Sequence, residues 1–267
     1  MEHILSLSYG KDSLACLGAI EELGLPLDRI VHAEVWATET IPADLPPMVE
    51  FKTKADRIIK EKWGIEVERV RSDWSFESRF YSTISSRAKP EYIGRIRGFP
   101  LLLGSWCARD LKVSHLSKSG NVNYIGIAAD EPDRFGQLSE KLVSPLVVAG
   151  WDENKCRKWC EENDLLSPIY TNATRGGCWF CPKQPTDQLR IIWKDYPDLW
   201  GLLLEWDTDS PVPFKADGHT VHDFDKRFQM EEAGQIPTDR TFRWEMLDKP
   251  PKFIAENGEQ ISLWRDV

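Results

Sequence analysis

Two short stretches combine residue types and spacings that could do chemistry. The first is Ser8-Tyr9-Gly10-Lys11-Asp12-Ser13, which follows the apolar run Ile4, Leu5, Leu7. A strand, a Ser/Gly turn and a helix make an anion site, because the first turn of a helix carries unpaired N–H groups and the positive end of the dipole. Gly10 lets backbone approach a phosphate with no Cβ in the way. Ser8 and Ser13 add hydroxyl donors and Lys11 a mobile charge. Asp12 suits such a cradle as a helix cap or a Mg²⁺ ligand. The spacing is not that of the Gly-x-x-x-x-Gly-Lys-[Ser/Thr] loop. The plainer reading is a helix N-cap after a strand.

The second stretch is Gly176-Gly177-Cys178-Trp179-Phe180-Cys181-Pro182. A Cys-x-x-Cys in a glycine-rich turn holds two thiolates toward one metal centre. Two more ligands are needed, and the remaining cysteines are Cys16, Cys107, Cys156 and Cys160. Cys156 and Cys160 share one face of a helix predicted to start at Asp152. Cys107 stands just before a helix in Ser105-Trp106-Cys107-Ala108-Arg109-Asp110-Leu111-Lys112. Cys16, on the first helix, reads as a small buried hydrophobe. A thioredoxin-type redox pair is the weaker reading, since that chemistry places the pair at a helix N-terminus after a strand.

These residues need a scaffold. Residues 3–8, 29–36, 65–70 and 123–129 read as strands, and 12–24 and 46–63 as helices, the second with Met48, Phe51, Ala55, Ile58, Ile59 and Trp63 at helical spacing. Strands alternating with helices predict a doubly wound parallel α/β sheet, with ligands at the carboxyl ends of its strands. The predicted organisation is a nucleotide-binding domain over 1–150, a Cys-rich helical appendage over 151–205, and a loosely organised C-terminal extension over 206–267 with one helix near 222–233.

Six cysteines and no apolar run near the ~20 residues that span a bilayer predict a cytoplasmic protein that uses thiols for metal, cluster or redox chemistry. A net charge of −9 argues against binding nucleic acid over the whole surface. A local basic groove is still available at Arg87, Lys89, Arg95, Arg97, Arg109 and Lys112, whose plainer reading is a solvated face.

In their order along the chain these motifs resemble the PP-loop adenine nucleotide alpha-hydrolase superfamily, in its phosphoadenosine-phosphosulfate-reductase-like branch. That branch includes the sulfur-inserting enzyme of DNA phosphorothioation. The resemblance rests on Ser8-x-Gly10-Lys11-Asp12-Ser13, Trp106-Cys107 with Leu111-Lys112, and Gly126-Ile127 with Asp130-Glu131. It continues through Pro145-Leu146 with Trp151, Gly177-Cys178-Trp179 with Cys181-Pro182, and Leu189-Arg190 with Tyr196-Pro197-Asp198-Leu199-Trp200. It covers roughly residues 1–205. Tyr9 stands where the family usually has its first glycine.

The resemblance implies ATP with Mg²⁺ on Ser8, Tyr9, Gly10, Lys11, Asp12 and Ser13, with Thr38 near the adenosine and Asp130, Glu131 and Arg134 by the nucleotide or metal. It implies that Arg109 and Lys112 act with Lys11 and Asp12 on the anionic substrate. It also implies that Cys107, Cys160, Cys178 and Cys181 hold a [4Fe-4S] cluster or Zn²⁺. Cys160 is preferred to Cys156 because it is nearer its helix end. The expected activity is ATP-dependent adenylation serving sulfur transfer. The expected partners are an adenine nucleotide, an acceptor such as a nucleic acid, and a second copy of the chain or a sulfur donor, with no membrane. The alternatives are a sulfonucleotide reductase or sulfotransferase and a nucleotide-binding subunit without turnover. Reductases of this fold use a cysteine in a C-terminal tail, and this chain has none after Cys181.

Overall fold

Short β-branched runs bounded by turns give five strands: β1 His3–Ser6, β2 Arg29–Glu34, β3 Val67–Arg71, β4 Val122–Tyr124 and β5 Leu142–Val143. They form one sheet of order β3-β2-β1-β4-β5, parallel throughout. The computed structural model describes residues 1–85, 90–100, 105–116, 120–171, 176–248, 253–254 and 260–261. The chain order leaves β1 on one side toward β2 and β3, then returns on the other to β4. The β1/β4 junction is therefore the switch point, where strand-end loops diverge and leave a crevice. Four of the five strands are legible in the sequence. β5 has two residues, too few to show any alternation.

The loop after β1 enters α1, Lys11–Glu22, whose Leu14, Leu17 and Ile20 are buried with Cys16. The second long helix, α2 Pro46–Trp63, starts on two prolines and stops at Gly64 (φ 70°), the usual proline-in, glycine-out punctuation. A short helix, α3 Phe76–Phe80, follows β3, with Ser75 accepting at its N-cap from Ser78 N–H. After β5 come α4, Pro145–Ala149, and α5, Glu153–Glu162. α5 packs on α1 at Gly18, where a Cβ would stand 2.4 Å from Trp159 and 2.9 Å from Trp151.

The compact units are Met1–Gln184 and Pro185–Val267. Residues 151–184, placed with the appendage by the sequence reading, share the unit of the sheet, and Trp151, Cys156, Cys160 and Leu165 sit in its main core. The second unit carries α6 Thr186–Asp195, α7 Pro197–Asp209 and α8 Val221–Glu232. Residues 206–248 are more regular than their Asp-, Pro- and Gly-rich composition suggests. Thr220 and Asp223 close a capping box, Trp193 and Trp200 both donate to Asp225, and Glu231 accepts from Arg190 and Arg227, these last four bonds between 2.7 and 3.1 Å. No helix among the described residues is long and apolar enough to cross a membrane.

Candidate functional site

The turn after β1 is held by its own hydroxyls. Ser13 Oγ accepts from Ser8 N–H (3.1 Å) and donates to the Gly10 carbonyl (3.0 Å), while Ser8 Oγ lies 3.0 Å from Ser13 Oγ. The backbone strain falls on Tyr9 (φ 57°), not on Gly10, which is extended at φ −75°. An L-residue in the left-handed region costs roughly 1–2 kcal/mol, a cost that glycine would not carry. Tyr9 offsets the cost by complete burial: its hydroxyl donates to Asp56 and its ring meets His32 edge-on at 4.8 Å. These contacts engage the Tyr9 side chain with Asp56 and His32. Gly126, at the end of β4, lies against α1, where a Cβ would come within 2.5 Å of Ser13 N and 2.7 Å of Asp12 C. Backbone cannot yield as a flexible side chain can. Gly126→Ala is therefore expected to displace the first turn of α1 and lower the Tm, which thermal unfolding would read.

Lys11, whose place after the tight turn predicts that it faces solvent or phosphate, is buried. It is 8% exposed, with Nζ 2.8 Å from Asp12 and 3.2 Å from Glu153, the first residue of α5. Burial pulls its pKa down, but the two carboxylates outweigh it and hold the ammonium charged. Asp12 is no helix cap, since Gly10 is the N-cap residue. Burial raises its pKa even with Lys11 beside it. The Tyr170 hydroxyl accepts from Lys11 N–H at 3.1 Å.

Three cysteines, Cys107, Cys178 and Cys181, lie within electrostatic range of one another. The Cys178 turn closes through Cys181 N–H to Cys178 C=O (3.1 Å) and docks on the segment after β2, with Trp179 donating to the Ala43 and Pro42 carbonyls. Phe76 bridges it to the next helical segment, residues 106–116, with ring centroids 4.2 Å from Phe180 and 5.2 Å from Trp106. This packing brings Cys107 within electrostatic range of Cys178 and Cys181. Burial and the two neighbouring sulfurs push the Cys107 thiol up to about 11. Burial likewise raises Cys178, against the pull of Lys112, while Cys178 is the main reason that Lys112 holds its proton. Residues Arg109–Val113 are π-helical, a form common at functional sites.

Cys160 is not among them. α5 turns its inner face to α1, so Cys160 Sγ donates to the Lys11 carbonyl (3.2 Å) and lies buried with Cys156 and Cys16. Among the described residues no three Cys, His, Asp or Glu side chains converge on one metal ion. A tetrahedral zinc site on the four expected cysteines is therefore not formed. A [4Fe-4S] cluster makes a different demand, because its thiolates bind separate iron corners. Cys107, Cys178 and Cys181, the adjacent cation Lys112, and the buried Trp106 Nε1 with no partner among the described residues fit such a group.

A cavity of about 380 Å³ joins the two ends, within the usual size of small-molecule sites. Ser8, Tyr9, Gly10, Asp12 and Ser13 line one side with Gly126 and Arg134, and Lys112, Gly177 and Cys178 line the other. Lys11 and the remaining expected residues lie outside its lining. Thr38 holds the turn after β2, accepting from Ile41 N–H (3.0 Å). Asp130 accepts from Glu153 N–H (3.1 Å), and Glu131 pairs with Arg134 (2.9 Å). Arg109 is 64% exposed and pairs with Asp110 (2.6 Å), which Arg79 also grips. Of the basic run, Arg87 and Lys89 lie outside the described residues, Arg95 is exposed, and Arg97 is buried with Nε donating to Ser82.

Sequence reasoning missed His32, Asp44 and Lys52, which line the same cavity. Lys52 Nζ stands 2.9 Å from His32 Nε2 and 2.5 Å from Asp44 Oδ2, and His32 Nδ1 stands 2.8 Å from the Leu7 carbonyl. A signal was present: Lys52 interrupts the apolar face of α2 between Met48 and Ala55. Burial, then the Lys52 charge, lowers the His32 pKa from 6.5 to about 3. The neutral form is thus favoured on folding, and its stabilisation is complete above pH 6.5. As pH falls from 6.5 toward 3 the unfolded chain gains a proton that the folded chain refuses. This costs about 1.4 kcal/mol per pH unit. His32→Gln is expected to flatten that part of the acid-unfolding profile relative to the parent.

No family model and no curated protein matches the chain. Among solved structures, the chain is similar to the U34-tRNA thiolase NcsA from Methanococcus maripaludis with its [4Fe-4S] cluster, at 13% identity and a TM-score of 0.37, over 86% of this chain and 71% of that one.

Proposed function

We propose that this chain is an ATP-dependent adenylating enzyme of the ATP-pyrophosphatase type that works in sulfur transfer. The observation that carries the proposal is the single cavity running from the Ser8–Ser13 loop to Cys178 and Lys112. ATP would place its outer phosphates on the N–H groups of the loop and α1, with Asp12 toward Mg²⁺. Lys11 would exchange Asp12 and Glu153 for phosphate oxygens. An acceptor oxygen attacks the α-phosphorus, the bond to the bridging β-oxygen breaks, and pyrophosphate leaves with its new charge on Lys11 and the loop amides. Cys107, Cys178 and Cys181 would hold a [4Fe-4S] cluster, which when bound supplies an iron without a protein thiolate for a sulfur ligand. Lys112 keeps positive charge beside those thiolates. The packed rings of Phe76, Trp106 and Phe180 fix the turns that carry them.

The test uses the full chain purified without oxygen. Pyrophosphate release from Mg-ATP in the presence of tRNA, DNA or small-molecule acceptors, together with a brown charge-transfer spectrum, supports the proposal. A colourless protein that hydrolyses no ATP with any of them refutes it.

A further inference from the structure

Lys52 is out of place for a residue whose only task is to fold the chain. It lies on the buried stripe of α2 with Met48, Ala55 and Ile59 and is 4% exposed. Burying an ammonium is costly, and an apolar side chain of similar volume serves a helix interface as well or better. The surroundings are built to keep its charge. Asp44 supplies one carboxylate oxygen. The Leu7 carbonyl accepts from His32 Nδ1–H, which leaves the Nε2 lone pair for the Lys52 ammonium. The Tyr9 ring supports it 5.2 Å away, in the strained conformation described above.

The charges around this part of the cavity do not cancel. Lys52 and Lys112 both line it, and both lie near Asp44, the one carboxylate lining it there. The other lining carboxylate, Asp12, is already paired with Lys11. Lys112 is turned first to Cys178, so Lys52 is the ammonium of this stretch of the wall that does not serve the cysteines, and it lies beyond the loop. In a nucleotide whose outer phosphates sit on the loop, the next anionic group is the α-phosphate, the atom at which adenylation occurs.

We propose that Lys52 contacts the α-phosphate of the bound nucleotide and neutralises it, with Asp44 and His32 as positioning residues that hold its ammonium. The inference rests on the nucleotide reading of the cavity. His32 also reaches Leu7, two residues before the strained Tyr9, so the loop that takes pyrophosphate and the lysine that takes the α-phosphate share one support.

The test is calorimetric titration of the full chain with AMP and, separately, with pyrophosphate, each with Mg²⁺. Lys52→Met is expected to weaken AMP binding by about tenfold to a hundredfold and to leave pyrophosphate binding unchanged. The double variant Lys52→Met/Asp44→Asn removes both charges and gives the same split if the single variant folds poorly. His32→Leu should weaken AMP binding, and His32→Gln, whose amide can donate to Leu7 and accept from Lys52, should restore it. Undiminished AMP binding in Lys52→Met overturns the proposal, and so does a parallel loss of AMP and pyrophosphate. Equal behaviour of His32→Leu and His32→Gln removes the positioning role. A parent chain that binds pyrophosphate and AMP but not through Lys52 leaves the nucleotide site standing. A parent that binds neither refutes both.

Discussion

Exchanging Cys178 for serine is expected to strip iron and acid-labile sulfide from the anaerobically reconstituted protein, whereas exchanging Cys160 should leave both in place. Cys178 is within electrostatic range of Cys107, Cys181 and Lys112. Its loss leaves two thiolates, too few to retain a cubane in competition with chelators. Cys160 instead donates to the Lys11 carbonyl in the α1/α5 core. Its serine variant keeps the donor and loses one buried sulfur, a packing cost on the order of 1 kcal/mol. Iron and sulfide analysis with the visible spectrum reads the difference. Full iron in Cys178→Ser, or none in Cys160→Ser, would reverse the assignment made from side-chain placement.

Lys11→Ala is expected to lower ATP-dependent pyrophosphate release by about 10²–10³, the usual effect of removing one fixed donor to developing charge. It also leaves Asp12 and Glu153 without their shared cation. The two carboxylates are partly exposed, so water offsets much of that loss, and a folded protein with a modestly lower Tm is the expected result. Lys11→Arg restores the charge and should recover stability. It should not recover turnover, because a planar guanidinium cannot replace a mobile ammonium at the same reach. Circular dichroism and a coupled pyrophosphate assay separate the two effects. Release at the parental rate in Lys11→Ala would remove the loop from the chemistry.

The sequence carried most of the sheet. Strands rich in Ile and Val, the helix 46–63 and its Gly64 stop are local signals, and they are found where local physics puts them. The Ser/Gly turn between strand and helix was legible for the same reason. Side-chain direction across elements was not. Cys156 and Cys160 share a face, as their spacing demands, but which neighbour that face meets depends on Gly18 admitting Trp159. Lys11 reads as exposed until α5 brings Glu153 to it. His32 and Lys52 are 20 residues apart on a strand and a helix, and no periodicity reports that their nitrogens are 2.9 Å apart. The order in 206–248 escaped because buried ion pairs such as Arg227–Glu231 look, in a string of letters, like solvated charge.

The π-helical turn at Arg109–Val113 has a consequence for how this site could have arisen. Cys107 and Lys112 both act on Cys178, yet they are five positions apart. At about 100° per residue an α-helix would set them about 140° from each other around the axis. The wider turn takes up the excess and returns both to one side. A turn of this kind is what a single inserted residue leaves in an α-helix. The pairing of thiol and lysine is therefore a matter of phase along the gene. A plain α-helix with the same five-residue spacing would part them with every functional side chain still encoded.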